Sequence, residues 1–138
     1  MNDYLDAMAK PFMVITPWLP RVFLGIAFFI HGYGKFPLPP ERMVTWFESL
    51  GYMYPEFVTS LVALGEVIAG VGIIVGGFFS NHIGNLTTRL SVGAIVVIMI
   101  GALVIAHADW FTDPKTLFTS EQIFLLILGL YYTIRGNN

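Results

Sequence analysis

The chain has 138 residues, of which 56% are hydrophobic and 12% are charged, about half the charged fraction of an ordinary soluble domain. This composition excludes a protein made mainly of water-soluble domains and predicts a small integral membrane protein. The net charge of −2 and the lack of any Lys/Arg run argue against a nucleic-acid partner, and the absence of cysteine excludes disulfides, thiolate metal sites and iron–sulfur clusters.

The beginning of the chain does not have the pattern of a cleaved signal peptide, because Asp3 and Asp6 stand where such a peptide is basic. We therefore predict no cleaved leader. Apolar residues recur in this segment at helical spacing, which indicates either a short amphipathic helix on the membrane interface or a frayed terminus.

Apolar segments long enough to cross a bilayer as helices follow in chain order. The first is delayed by Pro17 and Pro20, and its Trp18 and Arg21 are typical of interfacial anchors. After it, apolar residues at helical spacing predict a short interfacial helix that ends at Gly51.

The second span is rich in glycine, which favours close helix approach, and a polar turn over residues 80–88 separates it from the third. A fourth, shorter span ends at Arg135. The fold class predicted is an all-α integral membrane four-helix bundle, a single transmembrane domain over residues 1–138 with a short interfacial helix between helices one and two. The predicted spans are approximately 17–36, 57–79, 89–107 and 118–135.

Lys and Arg residues near the span ends predict the orientation, because cytoplasmic loops carry an excess of positive charge. Lys10, Arg21, Arg89 and Arg135 lie on the face that carries both termini, against three Lys and Arg residues on the other face. We therefore predict that both termini are cytoplasmic.

Ionisable side chains inside apolar spans are costly, so each one is a candidate functional group. Glu66 lies inside the second span, and His31 and Lys35 share one face at the end of the first. Because these spans are antiparallel, the three residues reach similar depths, and His107 closes the third span on the same side. We predict one polar site between the helices, formed by Glu66, Lys35, His31 and His107, and no metal site.

Each of these residues also has an explanation that involves no function. The Lys35 side chain can extend to the lipid headgroups, and Glu66 can be a neutral packing residue that is hydrogen bonded. His107 stands where polar interfacial residues are common.

The same residues lie in a recognisable pattern. A motif His31-Gly32-Tyr33-Gly34-Lys35 ends the first span and Leu64-Gly65-Glu66 opens the glycine-rich second one. This pattern resembles the DoxX family over roughly residues 18–135. The resemblance implies a bacterial four-helix membrane bundle in the inner membrane. It also implies a role like that of relatives described as the quinone-reducing membrane subunit of thiosulfate oxidation, or as parts of membrane oxidoreductase complexes.

Three functions compete. The first is a quinone-interacting oxidoreductase subunit that needs a partner as electron donor. In it, His31 and Lys35 bind or protonate the quinone oxygens, Glu66 relays protons, and Tyr33 and Phe36 line the ring pocket. Haem held by His31 and His107 is a less favoured cofactor.

The second function is a non-catalytic assembly or structural subunit, in which the polar residues are an internal clasp that must be fully hydrogen bonded. The third is a small-molecule or proton-coupled carrier, although the inverted repeat and broken helices of many transporters are lacking. The expected partners are the lipid bilayer and either other membrane subunits or further copies of this chain. Whether the chain is itself an enzyme stays open.

Overall fold

The computed structural model describes residues 2–137, which are almost entirely helical and contain no strand. The all-α prediction is therefore confirmed. A π-helical turn, Ala102–Ala106, directly follows the helix His82–Gly101, and short 3-10 turns cover Lys10–Phe12 and Ala108–Thr112. The helices are α1 (Asn2–Ala9), α2 (Trp18–Tyr33), α3 (Glu41–Ser49), α4 (Pro55–Phe78), α5 (His82–Gly101), α6 (Pro114–Thr119) and α7 (Glu121–Arg135).

Among residues 2–137, two segments are long and apolar enough to cross a membrane by length and composition, namely Pro55–Phe78 and His82–Ala106. They are α4 and α5 with its π-helical turn. The helices α2 and α7, with 16 and 15 residues, are shorter than the predicted first and fourth spans. That these two also cross the bilayer stays a prediction.

The long helices pack in chain order. Helix α2 lies against α4, α4 against α5, and α5 against α7, while α3 packs on α4. Leu24, Phe28, Ile73, Val92 and Ile95 are at most 1% exposed and form the centre of the core. Helix α4 therefore contacts α2, α3 and α5, and α5 in turn carries α7.

Glycine lets the backbones of α2 and α4 meet. A Cβ atom on Gly70 would lie 2.6 Å from the carbonyl oxygen of Gly25, and one on Gly32 would lie 2.8 Å from the carbonyl oxygen of Ala63. Gly65 differs, because its Cβ would make only an ordinary contact, 3.6 Å from Ile98. The close approach predicted from the glycines of the second span is thus present at Gly70 and not at Gly65.

Helix boundaries depart from the predicted ones where side chains cap a helix. The Asn81 side chain accepts a hydrogen bond from the Gly84 backbone, so α5 begins at His82 and residues 82–88 are helical rather than a polar turn. Ser120 separates α6 from α7 and caps the latter. Helix α3, between α2 and α4, corresponds to the predicted short helix. Gly51 lies just after its end and has a φ of 77°.

The sequence pattern indicated that Arg21 is an exposed interfacial anchor, but its side chain is buried among the helices. Only 5% of it is exposed. Its guanidinium donates hydrogen bonds to the Ile73 carbonyl (2.7 Å), to the Thr88 hydroxyl (3.0 Å) and to the Asn137 side chain (2.8 Å). These partners are neutral, and the ring face of Tyr132 lies 4.9 Å away. Tertiary contacts override the anchor pattern because several acceptors converge at this point.

Candidate functional site: an apolar cavity with a buried ion pair

A cavity of about 400 Å³, called here the inner cavity, lies beside α4 at the end of the molecule opposite both termini. Its wall is mostly apolar, and polar groups face it from α2, α4 and α7. The lining residues are His31, Lys35, Met43, Trp46, Phe47, Tyr52, Val58, Val62, Glu66, Val97, Ile98, Met99, Gly101, Ala102, Ile105, Ala106, Gln122 and Leu125.

Lys35 and Glu66 form an ion pair in the wall of the inner cavity. The Lys35 ammonium donates a hydrogen bond to the Glu66 carboxylate and a longer one, 3.4 Å, to the His31 carbonyl. The Glu66 side chain is 5% exposed and the Lys35 side chain 25% exposed. The backbones approach closely at Gly32, which brings the end of α2 against α4 next to Glu66. The sequence-based expectation that these charges lie at one depth agrees with this geometry.

His31 faces a different acid. Its Nε2 atom lies 3.2 Å from a carboxylate oxygen of Glu121, the first residue of α7, and both side chains are about half exposed, at 44% and 55%. His31 therefore links α2 to α7 at the edge of the inner cavity. This partner could not be predicted from the sequence, because the two residues are 90 positions apart in the chain.

Three other predicted site residues lie outside the inner cavity. His107 stacks on Trp110 with ring centroids 3.8 Å apart. Tyr33 and Phe36 stack on each other on the outer side of α2, and Phe36 lines an open depression that shares Lys35, Met43 and Trp46 with the inner cavity. We call this depression, formed by residues 34–43 and Trp46, the outer vestibule.

The aromatic wall of the inner cavity comes instead from α3 and the turn after it. Phe47 is 6% exposed and packs edge-on against Trp46 and at a tilt against Tyr52, with ring centroids about 5 Å apart. The short helix before Gly51 was visible in the sequence as apolar residues at helical spacing. Its role in lining a cavity was not, because that depends on how α3 folds back over α4.

The arrangement suits a flat apolar ligand with polar oxygens. Trp46 and Tyr52 contribute ring surface to the wall, and the small residues Gly101 and Ala102, where α5 meets the π-helical turn, leave room in it. The Lys35 ammonium can donate to a carbonyl or hydroxyl oxygen, and the Glu66 carboxylate can accept from a hydroxyl group. The pair could then exchange a proton with such a ligand.

Comparison with known proteins agrees with this organisation. A model of the DoxX family matches residues 17–108, which include α2 to α5 and the Lys35–Glu66 pair. The chain is also 33% identical over 118 residues to a Bacillus subtilis (strain 168) protein named "Putative oxidoreductase CatD", across 86% of this chain and 83% of that protein. No solved structure shows a significant match. Because the family model covers most of the chain and includes its polar site, the chain belongs to the DoxX family.

Proposed function

We propose that this DoxX chain is a membrane subunit of an oxidoreductase complex and that it binds a quinone head group in the inner cavity. The observation that carries the proposal is the Lys35–Glu66 pair, which lies in the wall of an apolar cavity of about 400 Å³. The name of the Bacillus subtilis relative supports a link to redox chemistry. The proposal includes four membrane spans, α2, α4, α5 and α7, in the bacterial inner membrane with both termini cytoplasmic.

The residues of the inner cavity fit a quinone. A bound quinone would supply two-electron, two-proton redox chemistry, with the electrons delivered by a partner subunit. Lys35 would hold one quinone oxygen through its ammonium, and Glu66 would hold a proton beside it. The rings of Trp46 and Tyr52 would exclude water from the ring faces.

Ligand binding by the purified full-length chain tests this proposal. A water-soluble quinone analogue is titrated into the protein in lipid nanodiscs, and the dissociation constant is measured by calorimetry. We expect Lys35→Met to weaken binding at least tenfold, because the oxygen loses its charged donor. Arg42→Met is the matched control, since Arg42 lines the outer vestibule and not the inner cavity. Equal affinity of wild-type and Lys35→Met proteins would exclude the proposed site.

One observation favours a second candidate, a non-catalytic assembly subunit. The Lys35 ammonium already donates a hydrogen bond to the Glu66 carboxylate. Such a bond is what a structural link between the end of α2 and α4 requires. In that case the wild-type protein binds no quinone, and removing both charges together leaves the assembly of its complex intact. The double substitution described in the Discussion separates the two candidates.

A further inference from the structure

Gly101 differs from the glycines that serve helix packing. A Cβ atom on Gly76 would lie 2.6 Å from the Thr88 hydroxyl oxygen across the α4–α5 seam, so Gly76 is needed for contact between the two helices. A Cβ atom on Gly101 would meet no atom within 4 Å, and Gly101 lines the inner cavity. Its missing side chain therefore leaves open space in the wall and not a helix contact.

The register of the seam shows where this gap lies. Helices α4 and α5 are antiparallel neighbours whose contacts run evenly along the seam. The contacts that fix the register are Gly65 with Ile98, Gly72 with Ser91, and Gly76 with Thr88. When this register is extended by one helical turn past the Gly65–Ile98 contact, Val62 lies opposite Gly101. Val62 also lines the inner cavity. Glu66 is one turn further along α4, so the gap is adjacent to the ion pair.

The outer edge of the gap is apolar and exposed. Val97 and Ile105 lie one turn before and one turn after Gly101, and they are 70% and 37% exposed. Both also line the inner cavity. Directly after Gly101 the helix changes to the π-helical turn Ala102–Ala106, a wider winding that is frequent at functional sites. The gap at Gly101 thus has an exposed apolar rim and lies in the wall of the same cavity as Glu66.

We propose that the gap at Gly101 is the lateral entrance through which a lipid-soluble ligand with a polar head and an alkyl tail reaches the Lys35–Glu66 pair. Gly101 sets the width of this entrance, and the tail remains between Val62 and Gly101 when the head is bound. The inference rests on the proposed function in one respect, that the inner cavity is a ligand site. The entrance itself can be tested without any quinone.

The first test uses a photolabel in bilayers. An alkyl-aryl diazirine dissolved in lipid vesicles that contain the full-length chain is photolysed, and carbene insertion at Val62 is measured by mass spectrometry. Insertion at Leu64 and Ile68, which are exposed on α4, serves as the reference. We expect Gly101→Leu to reduce relative labelling of Val62 at least tenfold, because the leucine side chain fills the gap.

Gly93→Leu is the matched control, because Gly93 is in the same helix and its Cβ would also meet no atom within 4 Å, but it does not line the inner cavity. We expect it to leave Val62 labelling unchanged. Gly101→Ala, with a smaller side chain, is the variant to use should Gly101→Leu fail to fold. We expect it to reduce Val62 labelling two- to threefold. The proposed entrance is rejected if Val62 is not labelled in the wild type, or if the Gly101 variants leave its labelling unchanged.

The second test compares two quinone analogues, one with a ten-carbon tail and one without a tail. We expect Gly101→Leu to weaken binding of the tailed analogue at least tenfold and that of the tail-less analogue less than threefold. Equal losses for both would place Gly101 at the head group and overturn the entrance. Should the wild type bind neither analogue while the photolabel result holds, the quinone proposal fails and the entrance for another lipid-soluble ligand stands.

Discussion

Arg21 in α2 and Asn137, which follows α7, are joined by a hydrogen bond of 2.8 Å from the guanidinium to the side-chain amide oxygen. The same guanidinium reaches the Ile73 carbonyl in α4 and the Thr88 hydroxyl in α5. One buried side chain therefore connects the first long helix to α4, to α5 and to the residues after α7.

Replacing Arg21 by lysine should destabilise the fold although the charge is kept. A lysine ammonium has no fork of donors and cannot reach Ile73, Thr88 and Asn137 together. We expect the free energy of unfolding, measured by titration with a denaturing detergent, to fall by about 2 kcal/mol. Arg42→Lys, at an exposed position, should change it by less than about 0.5 kcal/mol. A stable Arg21→Lys protein would show that the network contributes little.

The two members of the Lys35–Glu66 pair should respond unequally to removal. Without Lys35, the buried Glu66 carboxylate has lost its cation, and we expect Lys35→Met to lower the free energy of unfolding by about 3 kcal/mol. Without Glu66, the more exposed Lys35 can turn toward the outer vestibule, so Glu66→Met should cost about 1 kcal/mol. The double methionine variant should return close to the wild-type value, because no unpaired charge remains.

The double variant also separates the candidate functions. A stable Lys35→Met/Glu66→Met protein that no longer binds the quinone analogue supports a ligand site, because stability and binding are then affected independently. A protein of this kind that retains its partner subunits and whose complex keeps its full activity supports the clasp. Additive destabilisation in the double variant would contradict the structural account of the pair.

Gly70→Ala should disrupt the contact between α2 and α4. The added methyl group would lie 2.6 Å from backbone atoms of Gly25 and Phe29, which cannot move independently of their helix. We expect a loss of about 2 kcal/mol in the free energy of unfolding, measured with the same detergent titration. Gly65→Ala in the same helix has room and should be neutral or slightly stabilising. Equal effects of the two substitutions would contradict the described crossing.

Aromatic substitutions can decide between two ring pockets. The sequence predicted one formed by Tyr33 and Phe36, whereas Trp46 lines the inner cavity in the structure. Trp46→Leu should weaken quinone binding about tenfold, because Trp46 lines the inner cavity. Tyr33→Leu should leave the dissociation constant unchanged, since Tyr33 is 66% exposed and stacks on the outer side of α2. The dissociation constants of both variants are measured by calorimetry. Weaker binding by Tyr33→Leu and unchanged binding by Trp46→Leu would indicate that the ring pocket is at Tyr33 and Phe36.

The start of α6 should be sensitive to acid. The Thr116 hydroxyl donates a hydrogen bond to the Asp113 carboxylate and, with the Lys115 backbone N–H, holds the pKa of that carboxyl below its ordinary value. A lowered pKa in the folded state means that the cap stabilises α6 above the ordinary pKa and that this contribution is lost as the pH falls through the lowered one.

Carboxyl carbon NMR titration of Asp113 checks this cap. We expect Thr116→Val to raise the pKa of Asp113, because the main hydrogen bond to the charged form is removed. Thr112→Val is the control, since the Thr112 hydroxyl donates to the Asp109 carbonyl. A pKa that is the same with and without the Thr116 hydroxyl would assign the shift to another cause.

Local patterns in the sequence predicted the parts of the fold that depend on hydropathy and helix spacing. The long apolar helices, the short helix before Gly51 and the common depth of Lys35 and Glu66 could all be inferred in this way. The pairing of His31 with Glu121 and the burial of Arg21 could not, because each depends on residues brought together from distant parts of the chain. The same reason explains why Trp46, and not Phe36, faces the inner cavity.

The tie between Arg21 and Asn137 has a consequence for the order of assembly during synthesis. Each long helix packs on the next one along the chain, so the helices can associate pairwise as they leave the ribosome. Asn137 stands 116 positions after Arg21, and the arginine acquires this partner only when α7 has been synthesised. A nascent chain halted just before Asn137 would contain α2 to α7, with Tyr132 already bonded to the Pro17 carbonyl, and would still lack this partner of Arg21.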